Sequence, residues 1–212
     1  MSFQKNKYKI VRGALSKEMS SFVYSYFLKK RQVCHFLLQQ KYISPFTEYW
    51  GVWTDAQAPN TYAIYADTVM ETLLEALRTK MEKETDYKLQ ETYSYARLYK
   101  KGDVLHRHKD RDACEVSATL HLGGDPWPIY IDPTGKEGQA GIPVNLEPGD
   151  MLLYSGCDLE HWREEFRGKD CAQVFFHYND STGKKAKENK FDSRPFLGLP
   201  KEFRKGTRDL WN

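Results

Sequence analysis

The chain has 212 residues, with 32 Lys/Arg against 29 Asp/Glu and a formal net charge of +3, a length that suits one domain with room for a sizeable core. No apolar run approaches the roughly 20 residues of a membrane helix, and the start, Met1-Ser2-Phe3-Gln4-Lys5, lacks the apolar stretch of a signal peptide. Cys34, Cys114, Cys157 and Cys171 show no framework spacing, so the expectation is a soluble, cytoplasmic protein with free thiols and no membrane partner.

In chain order, residues 8–12 read as a short strand that Gly13 breaks. Ser16 is a candidate N-cap, and Glu18 sits in the first turn, where the helix dipole favours an acid. Met19, Phe22, Val23, Tyr26, Phe27, Val33, Cys34, Leu37 and Leu38 recur at helical spacing over residues 17–40. Residues 41–60 are irregular and aromatic, with Trp50 and Trp53 as candidates for a lid. A second helix is expected over residues 61–83, on the stripe Tyr62, Ala66, Val69, Leu73, Leu77 and Met81. Both helices read as supports for a sheet.

From Gln90 onward the pattern changes to period two, and short segments alternate with turns. Strands are expected near 92–99, 104–108, 113–122, 128–131, 143–146, 150–154, 159–162 and 171–178. The abundance of Tyr, Phe and Trp (14, 11 and 5) fits strands around a lined cavity. About eight antiparallel strands after a helical start imply an α+β fold with a double-stranded β-helix, or jelly-roll, core. The expected division is 1–90 for a strand and supporting helices, 91–178 for the core, and 179–212 for an extended basic arm. That arm holds nine Lys/Arg against five Asp/Glu, a net of +4, which leaves the remainder at −1.

The run His108-Lys109-Asp110 is answered by His161, 51 residues after Asp110. Residues i and i+2 of an extended segment point to the same side, so His108 and Asp110 can converge on one ion. Two imidazoles and a carboxylate on one face of an octahedron leave open positions, the facial-triad pattern of non-haem iron. A structural zinc site would want four closed ligands with paired thiolates, and no two cysteines lie closer than 14 residues. His106-Arg107-His108 offers a rival, cupin-like His-x-His pair with His106 as a ligand. His121 and His177 read as core or rim histidines, and Arg111 as an ion-pair partner for Glu115.

The order of the tyrosine-rich strand 93–99, His-x-Asp, the Pro148-Gly149-Asp150 turn, the distal His161 and the aromatic strand 171–178 resembles the Fe(II)/2-oxoglutarate dioxygenase superfamily, most of all its prolyl-hydroxylase-like branch. The resemblance covers about residues 91–178. It implies Fe(II) held by His108, Asp110 and His161, with 2-oxoglutarate as co-substrate and dioxygen as oxidant. It also implies a hydroxylase acting on a peptidyl proline or an amino acid and releasing succinate and CO2. Tyr99, nine residues before His108, matches the family tyrosine that helps bind the co-substrate carboxylate. The family's base falls nine to eleven residues after the distal histidine, where this chain has Asp170, Cys171 and Ala172. Lys169 stands one residue short, and Arg163 and Arg97 are rivals for the role. Two other readings remain open at this level. One is a nucleic-acid oxidative demethylase that uses the tail lysines 184, 185, 187 and 190 on phosphates. The other is a jelly-roll binding module without turnover. The substrate partner is otherwise a protein or a small molecule.

Overall fold

The computed structural model describes residues 2–205. A single helical turn, α1 (Phe3–Asn6), leads into β1 (Tyr8–Val11), and α2 follows at Lys17–Gln39. Ser16 caps α2, its hydroxyl accepting from the Met19 N–H at 3.2 Å. The second long helix, α3, spans Thr68–Thr85 and not residues 61–83. Its expected first turn is instead an edge strand, β2 (Tyr62–Tyr65). Two local features explain the difference. Tyr62-Ala63-Ile64-Tyr65, with two aromatic residues and a β-branched one, pairs with β3 (Leu89–Lys100). Asp67 then caps α3, its carboxylate accepting from the N–H groups of Val69 and Met70 at 3.0 and 3.2 Å.

The remaining strands are β4 (Leu105–His108), β5 (Val116–Gly124), β6 (Ile129–Ile131), β7 (Ile142–Val144), β8 (Met151–Ser155), β9 (His161–Arg163) and β10 (Asp170–Asp180). They form two antiparallel sheets, one of six strands in the order β1-β8-β5-β10-β3-β2 and one of four in the order β4-β9-β6-β7. The large sheet is buried on both faces, and the period of two sorts its side chains. Ala96, Leu98, Ala118, Leu120, Leu153, Val174 and Phe176 pack with Val23, Phe27, Leu74 and Leu77 of the helices. The alternate residues face the small sheet. Leu152 and Tyr154 meet Ile129, Ile131 and Val144 there, and Tyr99 and Phe175 pack with Trp127 and Phe166. The Pro148-Gly149-Asp150 turn is tied down by Asp150, which accepts from Arg12 at 2.6 Å and from the Gly13 and Glu147 N–H groups at 2.9 and 3.0 Å.

The segment after β10 is not an extended arm. It folds back through α4 (Ala186–Asn189) and two short 3-10 turns, Lys190–Ser193 and Lys201–Phe203. Its anchor is Arg194, which forks onto Glu71 of α3 at 2.7 and 3.2 Å and also donates to the Phe191 and Thr92 carbonyls. A buried cation on a buried carboxylate needs this full set of partners, and forming it pulls the chain against the barrel. The end of the expected arm, residues 206–212, lies outside the described residues.

Candidate metal centre and co-substrate site

His108 ends β4 and His161 begins β9, and the two residues are direct partners in the antiparallel register. Their ring centroids are 4.3 Å apart. Asp110 follows on the loop, where its N–H donates to the Gly156 carbonyl at 2.8 Å. The backbone passes so close here that a Cβ at Gly156 would collide with the Asp110 carboxylate and the Cys114 carbonyl. Both imidazole Nε2 atoms face one carboxylate oxygen, Asp110 Oδ1, at 3.7 Å from His108 and 3.5 Å from His161. The ligand atoms of all three residues lie within 4.8 Å of one another.

Each imidazole is oriented from behind. His108 Nδ1 lies 2.7 Å from the His106 carbonyl, and His161 Nδ1 lies 3.1 Å from that of Leu159. A carbonyl can only accept, so each Nδ1 carries a proton and each Nε2 is left pointing at the centre. Burial, and then the neighbouring His161 ring, lowers the pKa of His108 and keeps it neutral. Burial by itself would raise Asp110, but the surrounding His161, His177 and His108 outweigh it and hold its carboxyl well below the usual range. A carboxylate facing two imidazole Nε2 atoms, once those nitrogens are deprotonated, is the donor set a divalent ion requires. His106 is exposed and contributes its carbonyl to this arrangement.

The triad opens onto a cavity of about 460 Å³, also lined by Tyr93, Tyr95, Arg97, Phe175 and His177 of the large sheet and by Asp55 and Gln57 of the loop before β2. The loop reaches the site through these polar residues and not through its tryptophans. Trp53 packs on Tyr62 and His35, at ring-centroid distances of 4.9 and 6.1 Å.

The four candidates for the co-substrate carboxylate separate clearly. Lys169 is exposed on the β9–β10 turn, where its N–H donates to Asp125 at 2.6 Å, and it is not among the residues that line the cavity. Arg97 lines the cavity, but its donors are engaged by Asp55 at 2.6 Å, Gln57 at 2.6 Å and the Tyr99 hydroxyl at 3.2 Å. Tyr99 is fully buried beside Trp127. Arg163, like Tyr99, lies behind the cavity wall and does not line it; it stands two residues beyond His161 on the same face of β9, and only 1% of it is exposed. Its guanidinium lies over the Trp127 ring at 5.0 Å, and its Nη1 donates to the Trp127 carbonyl. Its Nε and Nη2 have no hydrogen-bond partner. No acid pairs with it among the described residues, and burial lowers its pKa.

Several residues at the site carried no clear signal in the sequence. Ser117 hydrogen-bonds Asp110 Oδ2 at 3.0 Å. His177, read as a core or rim histidine, lines the cavity, and burial lowers its pKa to about 4. Arg111 pairs with Asp192 of the C-terminal segment at 2.9 Å and stacks on Tyr93 at 4.7 Å. The expected partner, Glu115, instead accepts from Asn179 and from the Asp180 N–H, both at 3.1 Å. The inward period of β3, β5 and β10 is the one signal that places Ser117 and His177, because each lies an even number of residues from other cavity-side positions.

No family model and no curated protein matches the chain. Solved structures do. A prolyl-4-hydroxylase from Pseudomonas putida aligns over 84% of this chain and 94% of its own, with 13% identity and a TM-score of 0.55. HygX from Streptomyces hygroscopicus, solved with nickel, 2-oxoglutarate and hygromycin B, aligns over 85% of each chain with 15% identity and a TM-score of 0.60. The non-haem α-ketoglutarate-dependent epimerase SnoN of nogalamycin biosynthesis aligns over 85% of this chain and 80% of its own, with 14% identity and a TM-score of 0.61. Among the described residues no helix is long and apolar enough to cross a membrane. With its two antiparallel sheets closing around a His/Asp/His cluster, the chain has the jelly-roll fold of these proteins.

Proposed function

We propose that this protein is an Fe(II)- and 2-oxoglutarate-dependent oxygenase that hydroxylates a C–H bond of a prolyl or other amino-acid substrate. One observation carries the reading. On a single face of β9, a candidate metal ligand, His161, is followed two residues later by a buried guanidinium with two unpartnered donors, Arg163. Leaving such donors unsatisfied costs about 1–3 kcal/mol each, so the position makes sense when an anion is bound. A dicarboxylate that chelates the metal at one end and meets Arg163 at the other answers both features.

His108, Asp110 and His161 would hold the iron and leave adjacent positions open. When bound, iron and 2-oxoglutarate supply the oxidising chemistry, with succinate and CO2 as co-products. The chain's residues bind, orient and exclude water. Arg163 fixes the far carboxylate, and Tyr99 and Trp127 wall it from solvent. Tyr93, Tyr95 and Phe175 line the approach, and Asp55, Gln57 and Arg111 give it polar contacts for a substrate. The reading as a binding module without turnover rested on the missing base at residues 170–172. Arg163 supplies a base from a different strand position.

Anaerobic addition of Fe(II) and then 2-oxoglutarate should give a weak visible charge-transfer band. The band should vanish in His161→Ala, and in Arg163→Gln it should appear only at far higher 2-oxoglutarate. A wild-type protein that binds Fe(II) with no such band would overturn the co-substrate assignment.

A further inference from the structure

Two buried side chains in the cavity have no part in the chemistry above. Cys114, 2% exposed, ends the short 3-10 turn Asp112–Cys114, and His177, 6% exposed, lies on β10. Both line the cavity. Ser117 ties both residues to Asp110. Asp110 Oδ1 faces those two imidazoles, whereas Oδ2 accepts from Ser117 Oγ at 3.0 Å. That same hydroxyl lies 2.9 Å from His177 Nδ1 and 3.0 Å from the Cys114 carbonyl. The ligand atoms of Asp110, Cys114 and His177 all lie within 4.8 Å of one another.

We propose that Asp110, Cys114 and His177 form a second metal site, for a soft divalent ion such as zinc, and that it shares the Asp110 carboxylate with the first. The donor chemistry differs between the two sites. A thiolate with an imidazole and a carboxylate selects zinc-like ions, whereas the all-nitrogen-and-oxygen set beside it suits iron. The geometry is near what such an ion needs. Zinc bonds of about 2.0–2.3 Å place tetrahedral ligands roughly 3.3–3.7 Å apart, so closing the site takes a shift of about an ångström. Cys114 can supply it by leaving the Tyr93 hydroxyl, which now lies 3.1 Å from its sulfur. Binding is an acid–base step without redox change. The Cys114 S–H bond breaks, the sulfur–metal bond forms, and one proton leaves to solvent. The functional consequence is inhibition. An ion on the Oδ2 side draws charge from the carboxylate that the first ion uses, and it stands within the cavity.

The proposal holds whichever metal the first site takes, and cobalt(II) alone tests it. The full-length, thiol-reduced protein should bind two cobalt ions per chain and show a near-ultraviolet thiolate-to-cobalt band. His108→Ala should keep the band and lose one ion. Cys114→Ser should lose the band and one ion, and Cys157→Ser should change neither. Saturation with a single ion and no thiolate band in the wild-type protein would sink the proposal. So would a band that disappears in His108→Ala, because Cys114 would then be an extra ligand of the first site. If Cys114→Ser does not fold, the wild-type and His108→Ala measurements still decide the matter.

Discussion

Two buried arginines, one on each sheet, differ in how many of their donors the fold satisfies. Arg97, on the large sheet, has its donors taken by Asp55, Gln57 and Tyr99. Burial works against its charge, but Tyr99 and Asp55 outweigh that and raise its pKa. Arg163, on the small sheet, has one carbonyl partner and two empty donors. Burial dominates there, and its pKa falls. The same side chain is therefore fully engaged by its neighbours in one place and keeps two unpartnered donors in the other. The discriminator is the number of satisfied donors, because burial is nearly equal at 6% and 1% exposure.

The sharpest way to break the comparison is Arg163→Met. Removing one partner of a buried charged contact costs about 2–5 kcal/mol, so 2-oxoglutarate affinity should fall by about thirtyfold or more. The same change removes an unpaired buried charge, so thermal stability without ligands should rise or hold. Calorimetric titration and a melting curve on one sample read both effects. A loss of stability with intact affinity would reverse the assignment of the two arginines.

Arg97→Met should do the opposite. It strands Asp55 beside the Tyr95 hydroxyl, and breaking a buried pair from one side costs about 3 kcal/mol or more. A lower denaturation midpoint at unchanged m-value would register it, and Asp55→Asn should soften the loss.

Arg194 extends the rule to the C-terminal segment. Its Glu71 partner is 1% exposed, so Arg194→Met should also cost about 3 kcal/mol. Deleting residues 183–212 should cost at least as much, since it also removes Asp192 from Arg111 at the cavity rim. A truncated protein with wild-type stability would show that the fold-back adds nothing to the barrel. The smallest effect belongs to Lys169→Ala. The Michaelis constant for 2-oxoglutarate should stay within about twofold, because the side chain is exposed and lies away from the cavity.

Much of the fold is legible in the sequence. The strand near 150–154 is Met151–Ser155, and the helix expected over 17–40 is Lys17–Gln39. Strong periodicity with a cap at Ser16, or a Pro-Gly-Asp turn ahead of an apolar run, fixes an element locally. Residues 61–67 were misread because Tyr62 and Ala66 also fit a helical stripe, and only pairing with β3 decides for the strand. Lys169 stands nearest the family's offset from His161, yet its side chain is exposed, whereas Arg163 is buried; an offset counts residues along a chain and does not say which of them the fold buries.

His108-Lys109-Asp110 and His161 were readable as a set because ligand chemistry restricts residue type, and an i, i+2 spacing on extended backbone already fixes a shared side. The layered sheets were readable because period two sorts side chains without reference to anything distant. What only the tertiary structure decided are the relations between segments that no local rule links. It put Asp55 and Gln57 on Arg97 and left two donors of Arg163 without a partner. It set Ser117 and His177 behind Asp110, and it folded Arg194 back onto Glu71. In each case a buried polar group must find its partners wherever the chain brings them, and the cost of leaving one unsatisfied is a property of the packed interior.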